Sequence, residues 1–185
     1  MLNRPSITLL ALLVSSSVFA EGLPFDRSTI NRYSLDGVPR SISIRQGDTW
    51  LGYDLERATV MKVWRPRPGE AGLTGSFTVR SVGETLFEDK SDQGWILNGE
   101  AVDVRYLGCT QGKESFVLRW ELSNGTRTLR LHERIATDSG DGVWRELRVT
   151  GLEEADSLEV PAASAESWNL NGNLTTGSWI QITLS

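Results

Sequence analysis

The chain has 185 residues and carries 19 lysines and arginines against 24 aspartates and glutamates, for a net charge of −5. A mildly acidic chain with scattered arginines lacks the clustered basic surface that phosphate-backbone binding requires, which argues against a nucleic-acid partner. A single cysteine and a single histidine exclude an intrachain disulfide and leave too few ligands for an ordinary zinc site.

The N-terminal segment 1–20, "MLNRPSITLLALLVSSSVFA", has the features of a secretory signal peptide. Arg4 precedes a short apolar run, and Val18 and Ala20 are the small residues expected before a cleavage site. The run is too short for an ordinary transmembrane helix, although an uncleaved N-terminal anchor is the alternative. We therefore expect a periplasmic or secreted protein with no integral membrane segment after signal cleavage.

The chain beyond the signal divides into an irregular N-terminal segment, 21–37, and an all-β domain, 38–185. Short runs with period-2 alternation, separated by Gly, Asn, Asp and Pro, are typical of antiparallel strands. The spacing of the turn signals predicts a single antiparallel β-sandwich of about 12 short strands. The predicted strands lie near 39–45, 48–54, 59–65, 75–80, 84–88, 93–97, 101–107, 115–122, 126–135, 143–150, 157–160, 166–170 and 177–184.

The stretch 48–75, "DTWLGYDLERATVMKVWRPRPGEAGLTG", raises the question whether its aromatics form a ligand site or a core. Alternation places Val60 and Trp64 on one side of a strand, and Gly52 inside a strand predicts a bulge or a close approach of another segment. We interpret the hairpin mainly as scaffold. Trp64 and Arg65, next to the loop "RPRPGEAG", are the predicted ligand-binding residues of this region.

The clearest predicted hairpin is "FVLRWELSNGTRTLRLHERI". Asn124-Gly125 is a preferred pair for a two-residue type I′ turn, which would pair Ser123 with Thr126 and Trp120 with Leu129. One face of this hairpin is then apolar and the other polar. "WILNG" (95–99) and "WNLNG" (168–172) predict two further, equivalent hairpins ending in Asn-Gly.

The next predicted strand, "GVWRELRVTG", places Arg145 opposite Glu133 on an otherwise apolar face if Ile135 pairs with Val143. A two-residue slip of this register is the alternative, because the connecting loop does not determine it. The pair is either an ion pair at the rim of the core or a fixed carboxylate–guanidinium pair that holds a polar ligand. Glu133 and Arg145 are therefore candidate site residues.

Seven tryptophans favour a carbohydrate ligand, because flat apolar sugar faces stack on exposed rings. The alternative is that tryptophan serves as a large core residue. Trp120 alternates in register with the apolar residues of its strand, so it is predicted to be a core residue. Trp144 lies on the face of its strand opposite to the apolar residues Val143 and Leu147. This places it on the outer face or under a loop and makes it a candidate ligand-binding residue.

No catalytic residue, metal site or cofactor is predicted. The chain has no C-x-x-C-H motif for covalent haem and no G-x-S-x-G motif for a serine hydrolase. The acidic loops at 88–94 and 137–142 could offer oxygens to calcium, but Asp with Gly is also ordinary turn chemistry.

Three stretches, "RSISIRQGDTWLGYDLERATVMKVWRPRPGEAGLTGSF", "WILNGEAVDVRYLGC" and "LHERI…GVWRELRVTGL", carry a family resemblance over about 40–184. They resemble the β-rich accessory region found beside c-type cytochrome or sugar-dehydrogenase modules in large secreted proteins of planctomycetes and verrucomicrobia. The resemblance implies an accessory role and transfers no catalytic residue. The matching positions are Trp50, Tyr53-Asp54, Lys62, Trp64, Gly75, Phe77 and Arg105-Tyr106.

These observations predict an exported, non-catalytic β-sandwich binding module with carbohydrate as the favoured ligand class. One alternative is an accessory subunit that docks on a periplasmic or exported redox or sugar-oxidising enzyme. Another is a small sugar-active enzyme that uses Glu133 and Arg145 with His132. Exposed aromatics around an open groove would favour the first, a broad apolar patch the second, and a deep pocket at Glu133 the third.

Overall fold

The computed structural model describes residues 30–136, 142–161, 168–170 and 174–184, and these residues form an all-β structure without a helix. No helix that could span a membrane therefore occurs in these ranges. The predicted signal peptide lies outside them. The strands in chain order are β1 (Ile30–Leu35), β2 (Val38–Gln46), β3 (Thr49–Asp54), β4 (Thr59–Arg65), β5 (Leu73–Thr74), β6 (Thr78–Ser81), β7 (Glu84–Glu88), β8 (Ile96–Leu97), β9 (Glu100–Ala101), β10 (Asp103–Gln111), β11 (Ser115–Ser123), β12 (Thr128–Ala136), β13 (Trp144–Thr150), β14 (Leu158–Glu159), β15 (Trp168–Leu170) and β16 (Trp179–Leu184).

These strands form three sheets, with seven, six and three strands. The seven-stranded sheet has the order β5-β6-β1-β2-β3-β4-β7, and the six-stranded sheet has the order β10-β11-β12-β13-β16-β15. The third sheet, β14-β8-β9, is small. The all-β prediction is confirmed, whereas a single sandwich of about 12 strands is not, because the described residues contain 16 strands in three sheets.

The two larger sheets contribute to one apolar core. Leu51 and Val63 from the seven-stranded sheet belong to the same buried cluster as Leu118 and Leu131 from the six-stranded sheet. Hydrogen bonds also join the sheets, since the Trp120 indole donates to the carbonyl of Leu55 at 3.1 Å. This indole satisfies its polar atom while its ring stays buried, as expected for a core tryptophan.

Each predicted strand range overlaps an observed strand, but the strand β1 falls within the segment predicted to be irregular, 21–37. β1 pairs with β2 on one side and with β6 on the other, so it is an interior strand of its sheet. The turn to β2 has Asp36 at φ 50° and Gly37 at φ 90°. Positive φ at both central residues is the type I′ geometry, in which Asp-Gly is a favoured pair.

The predicted two-residue turn at Asn124-Gly125 is wrong. Ser123 pairs with Thr128, so the connection has four residues, and Trp120 lies opposite Leu131. The Asn124 side-chain oxygen accepts the N–H of Arg127 at 3.0 Å and so stabilises the longer turn. The hairpin predicted for "WILNG" does end in a two-residue turn at Asn98-Gly99, where both φ angles are positive. Residues 171–173, where the second such hairpin was predicted, lie outside the described ranges.

The register between β12 and β13 also differs from the predicted one, in which Glu133 lies opposite Arg145. Glu133 lies opposite Leu147, which is the two-residue slip considered as the alternative. A slip of two residues keeps every side chain on its predicted face, because side chains alternate with a period of two. Val149 is buried and Trp144 is half-buried, so the predicted faces of β13 are correct although the predicted partners are not.

A bulge near Gly52 changes the predicted faces of β4. The β3–β4 register shifts between Gly52 and Tyr53, which leaves Met61 as the extra residue. Val60 therefore belongs to the main core, whereas Trp64 packs in a second core, and their predicted shared side is wrong. The predicted close approach at Gly52 is confirmed, since a Cβ there would lie 2.5 Å from the Leu35 side chain.

Candidate functional site

The second core lies on the outer side of the seven-stranded sheet and supports a groove. Leu35, Trp50, Met61, Trp64 and Val79 form this core. The rings of Trp50 and Trp64 stack with centroids 6.0 Å apart and an interplanar angle of 9°. Trp50 and Trp64 belong to β3 and β4, and the second core covers the face of these strands that points away from the main core. Both faces of β3 are therefore buried, which explains why β3 has no exposed residue.

The chain that follows β4 is attached to this core by hydrogen bonds to Gly72. The Trp64 indole donates to the Gly72 carbonyl at 2.7 Å, and the Val82 N–H donates to the same oxygen at 2.9 Å. Gly72 has φ +82°, and a Cβ there would lie 2.3 Å from the Trp50 Nε1 atom. Only glycine permits both the backbone angle and this close approach.

The groove itself, here called the Trp50 groove, consists of two adjoining cavities that share Arg45, Trp50 and Ala71. The larger cavity has a volume of about 750 Å³ and is lined by Asn31 and Tyr33 on one side and by Phe77 on another. The smaller, of about 420 Å³, is lined by Arg65 and by the loop that follows it. The groove therefore lies beside the loop that the sequence indicated.

Two exposed aromatic rings flank the larger cavity. Phe77 is 89% exposed and Tyr33 is 39% exposed. Phe77 lies between β5 and β6, where Gly75 at φ +100° forms the tight turn. Single exposed apolar residues are common, but two rings beside one open cavity offer flat surfaces for a ligand.

The floor of the groove contains an unsatisfied polar atom. Trp50 is 2% exposed, and its Nε1 atom has no hydrogen-bond partner among the described residues. An unpaired buried N–H costs on the order of 1–3 kcal/mol. This atom lies under Gly72 and is closed to solvent, so it destabilises the second core and offers no donor to a ligand in this conformation.

The rim of the groove is polar. Arg65 contacts Asp48 at 3.2 Å, Arg67 contacts Glu70 at 3.8 Å, and the Arg45 Nε atom donates to the Gly47 carbonyl at 2.8 Å. These groups could donate to and accept from hydroxyl groups at the rim, next to the apolar surface of the larger cavity.

The predicted site residues occupy three different places. Trp64 is fully buried beneath the groove, so its ring offers no surface to a ligand, whereas Arg65 lines the groove at its rim. Trp144 lies on the outer face of the six-stranded sheet. Glu133 and Arg145 do come together, but in the main core and away from both surfaces.

The Glu133–Arg145 pair is a buried polar cluster with aromatic neighbours. Arg145 Nη1 lies 3.0 Å from Glu133 Oε1, and the Tyr53 hydroxyl donates to the same oxygen at 2.5 Å. The Arg145 guanidinium lies 4.5 Å from the centroid of the Trp168 ring. Burial, and then the charge of Glu133, raise the pKa of Tyr53 well above its usual range, so the phenol stays protonated and donates.

The third candidate of the enzyme hypothesis, His132, lies on the opposite face of β12. Adjacent residues of a strand point to opposite sides of the sheet, so His132 faces outward while Glu133 faces the core. The structure therefore separates the histidine from the carboxylate. No cluster of three or more His, Cys, Asp or Glu side chains suited to a metal occurs within the described ranges.

His132 is expected to make the stability of the protein depend on pH. Its pKa lies below the usual 6.5 because burial, and then the charges of Arg148, Arg119 and Arg130, disfavour the imidazolium. The unfolded chain therefore binds a proton at a higher pH than the folded protein, so stability is lost as the pH falls below about 6.5. Urea unfolding between pH 7.5 and 5.5 should show a smaller loss for His132→Gln than for the wild type. Equal losses in the two proteins would contradict this assignment.

Tyr33, Arg45, Trp50 and Phe77 were not among the predicted site residues. Tyr33 falls in the segment that the sequence indicated to be irregular, and Trp50 was assigned to the scaffold. Trp50 and Phe77 are positions of the family resemblance, which assigns no site residue, and the pattern Gly-Ser-Phe, with an aromatic two residues after a turn glycine, is a further local signal at Phe77. No family model, curated protein or solved structure gives a significant match to the chain.

Proposed function

We propose that the protein is an exported, non-catalytic β-sandwich binding module and that the Trp50 groove binds carbohydrate. The observation that carries the proposal is the pair of exposed rings, Tyr33 and Phe77, beside an open cavity whose neighbour has a polar rim. Sugar rings present an apolar face for stacking and hydroxyl groups around their edge. Aromatic rings with hydrogen-bonding groups beside them match both requirements.

Neither alternative has a comparable observation in its favour. Glu133 is 0% exposed, so substrate cannot reach it without a rearrangement of the core. The large apolar side chains exposed within the described ranges are Tyr33, Phe77, Leu86 and Leu107, which lie on separate elements. The accessory role beside a redox or sugar-oxidising enzyme, which the family resemblance implies, remains a prediction.

A thermal-unfolding screen of the full-length protein against soluble polysaccharides and oligosaccharides would identify the ligand. A glycan held at about a hundred times its dissociation constant should stabilise the protein by roughly 2.7 kcal/mol. A glycan that stabilises the protein in this screen then serves as the probe for groove variants. If no glycan shifts the transition, the carbohydrate assignment is wrong.

Phe77→Ala and Tyr33→Ala are each expected to weaken glycan binding about tenfold or more, because each removes a stacking surface worth about 1.4 kcal/mol or more. Trp50→Phe keeps a buried ring beneath the groove and removes an N–H that the loop covers, so it should change binding little. Titration calorimetry measures these affinities. Leu86→Ala and Leu107→Ala remove exposed apolar side chains outside the groove and serve as controls. If Phe77→Ala and Tyr33→Ala both bound like these controls, the groove would be excluded as the site.

A further inference from the structure

The outer face of the six-stranded sheet carries a row of basic and aromatic side chains across four neighbouring strands. Arg119 of β11 lies opposite His132 of β12, His132 lies opposite Arg148 of β13, and Arg148 lies opposite Trp179 of β16. We call these residues the arginine row. With strands about 4.8 Å apart, the row extends over roughly 14 Å.

The charge on this face is opposite in sign to that of the whole chain. Arg105 and Arg130 both contact Glu121, and Arg134 contacts Glu146. Within the described ranges, Arg119 and Arg148 make no ion pair with a carboxylate. The face carries five arginines against three carboxylates, whereas the chain has a net charge of −5. The charged residues on this face are Asp103, Arg105, Arg119, Glu121, Arg130, Arg134, Glu146 and Arg148.

Two of these arginines are held in place by the Trp179 ring. The guanidinium groups of Arg134 and Arg148 lie 4.7 and 4.8 Å from the ring centroid. Such cation–π contacts restrict side chains that would otherwise sample many rotamers. Binding an anion to a restricted guanidinium costs less conformational entropy, so Arg148, the member of the row that Trp179 holds, is preorganised for a negatively charged group.

We propose that the arginine row is a second binding surface, separate from the Trp50 groove, and that it takes an acidic polysaccharide bearing carboxylate or sulfate groups. A linear polyanion laid across the strands would meet Arg119 and Arg148 in succession, with His132 between them. Guanidinium groups bind carboxylate and sulfate oxygens through paired hydrogen bonds. The proposal does not rest on the function of the groove.

The same face is less suited to nucleic acid or to a membrane. Base stacking needs a free aromatic surface, and Trp179 already contacts two guanidinium groups. Insertion into a lipid bilayer needs exposed apolar side chains, and the outward residues of the row are basic or half-buried. The engaged Trp179 ring and the absence of exposed apolar side chains in the row therefore favour a hydrophilic polysaccharide over ligands of the same charge.

The test measures binding of the full-length protein to polygalacturonate and to dextran sulfate, with neutral dextran as the uncharged probe. We expect both anionic chains to bind, dextran not to bind, and affinity to fall as salt is raised. Arg119→Gln/Arg148→Gln should weaken binding at least tenfold. The control Lys90→Gln/Lys113→Gln removes the same charge from exposed positions elsewhere and should change the affinity less than twofold.

A second measurement needs no variant, because His132 is the only histidine of the chain. Its NMR titration should move to higher pH when dextran sulfate is added, since a bound polyanion stabilises the imidazolium. An unchanged titration, or unchanged affinity in the arginine double variant, would overturn the proposal. Tighter binding to single-stranded DNA or to anionic lipid vesicles than to either polysaccharide would overturn the assignment of the ligand.

Discussion

Arg145→Met is expected to lower the free energy of unfolding by about 3–5 kcal/mol, because it leaves the carboxylate of Glu133 buried without its cation. Glu133 is fully buried, and within the described ranges its second oxygen has no hydrogen-bond partner. The remaining donor is the Tyr53 hydroxyl, which cannot replace a positive charge. Urea unfolding of the wild type and the variant measures the difference.

Arg134→Met provides the matched control on the same pair of strands. Arg134 forms an ion pair with Glu146, but its side chain is 40% exposed. Surface ion pairs contribute about 0–1 kcal/mol and an exposed cation–π contact such as that with Trp179 about 0.5–1 kcal/mol, so this variant should lose at most about 2 kcal/mol. Removing both buried charges in Glu133→Leu/Arg145→Met should recover much of the lost stability. If Arg145→Met were as mild as Arg134→Met, the buried pair would not be the structural element described.

Trp64→Ala is the second substitution with a large expected effect, a loss of about 3–5 kcal/mol in unfolding free energy. The ring is fully buried, stacks on Trp50 and donates to the Gly72 carbonyl. Its removal would leave a cavity beneath the Trp50 groove and release the loop above it. We therefore expect loss of both stability and glycan affinity.

Trp64→Phe separates packing from hydrogen bonding, because it keeps a ring but no N–H. The cost should fall to about 1–2 kcal/mol, because one hydrogen bond and part of the packing are lost while the Val82 N–H still donates to the Gly72 carbonyl. Trp144→Ala is the control, since that tryptophan is only half-buried on the outer face of the other sheet. If Trp64→Ala kept wild-type stability while glycan binding was lost, Trp64 would be a ligand-contacting residue and not a supporting one.

Alternation along the chain was sufficient to predict the all-β class, most strand positions and the faces of β11, β12 and β13. The partners of those strands were not predicted, because a two-residue slip preserves every face. Four residues connect β11 to β12 where Asn-Gly suggested two. Glu133 and Arg145 nevertheless meet, since diagonal neighbours on one face are within reach of long side chains.

Tertiary structure alone decided where the binding surfaces lie. The bulge near Gly52 sent Trp64 to the second core, and the return of the chain over Trp50 created a groove between residues far apart in sequence. The arginines that are scattered along the chain became a row only when β11, β12 and β13 paired. Composition by itself determined that the chain is acidic and poor in histidine and cysteine, but a local excess of charge depends on strand pairing, which composition does not record.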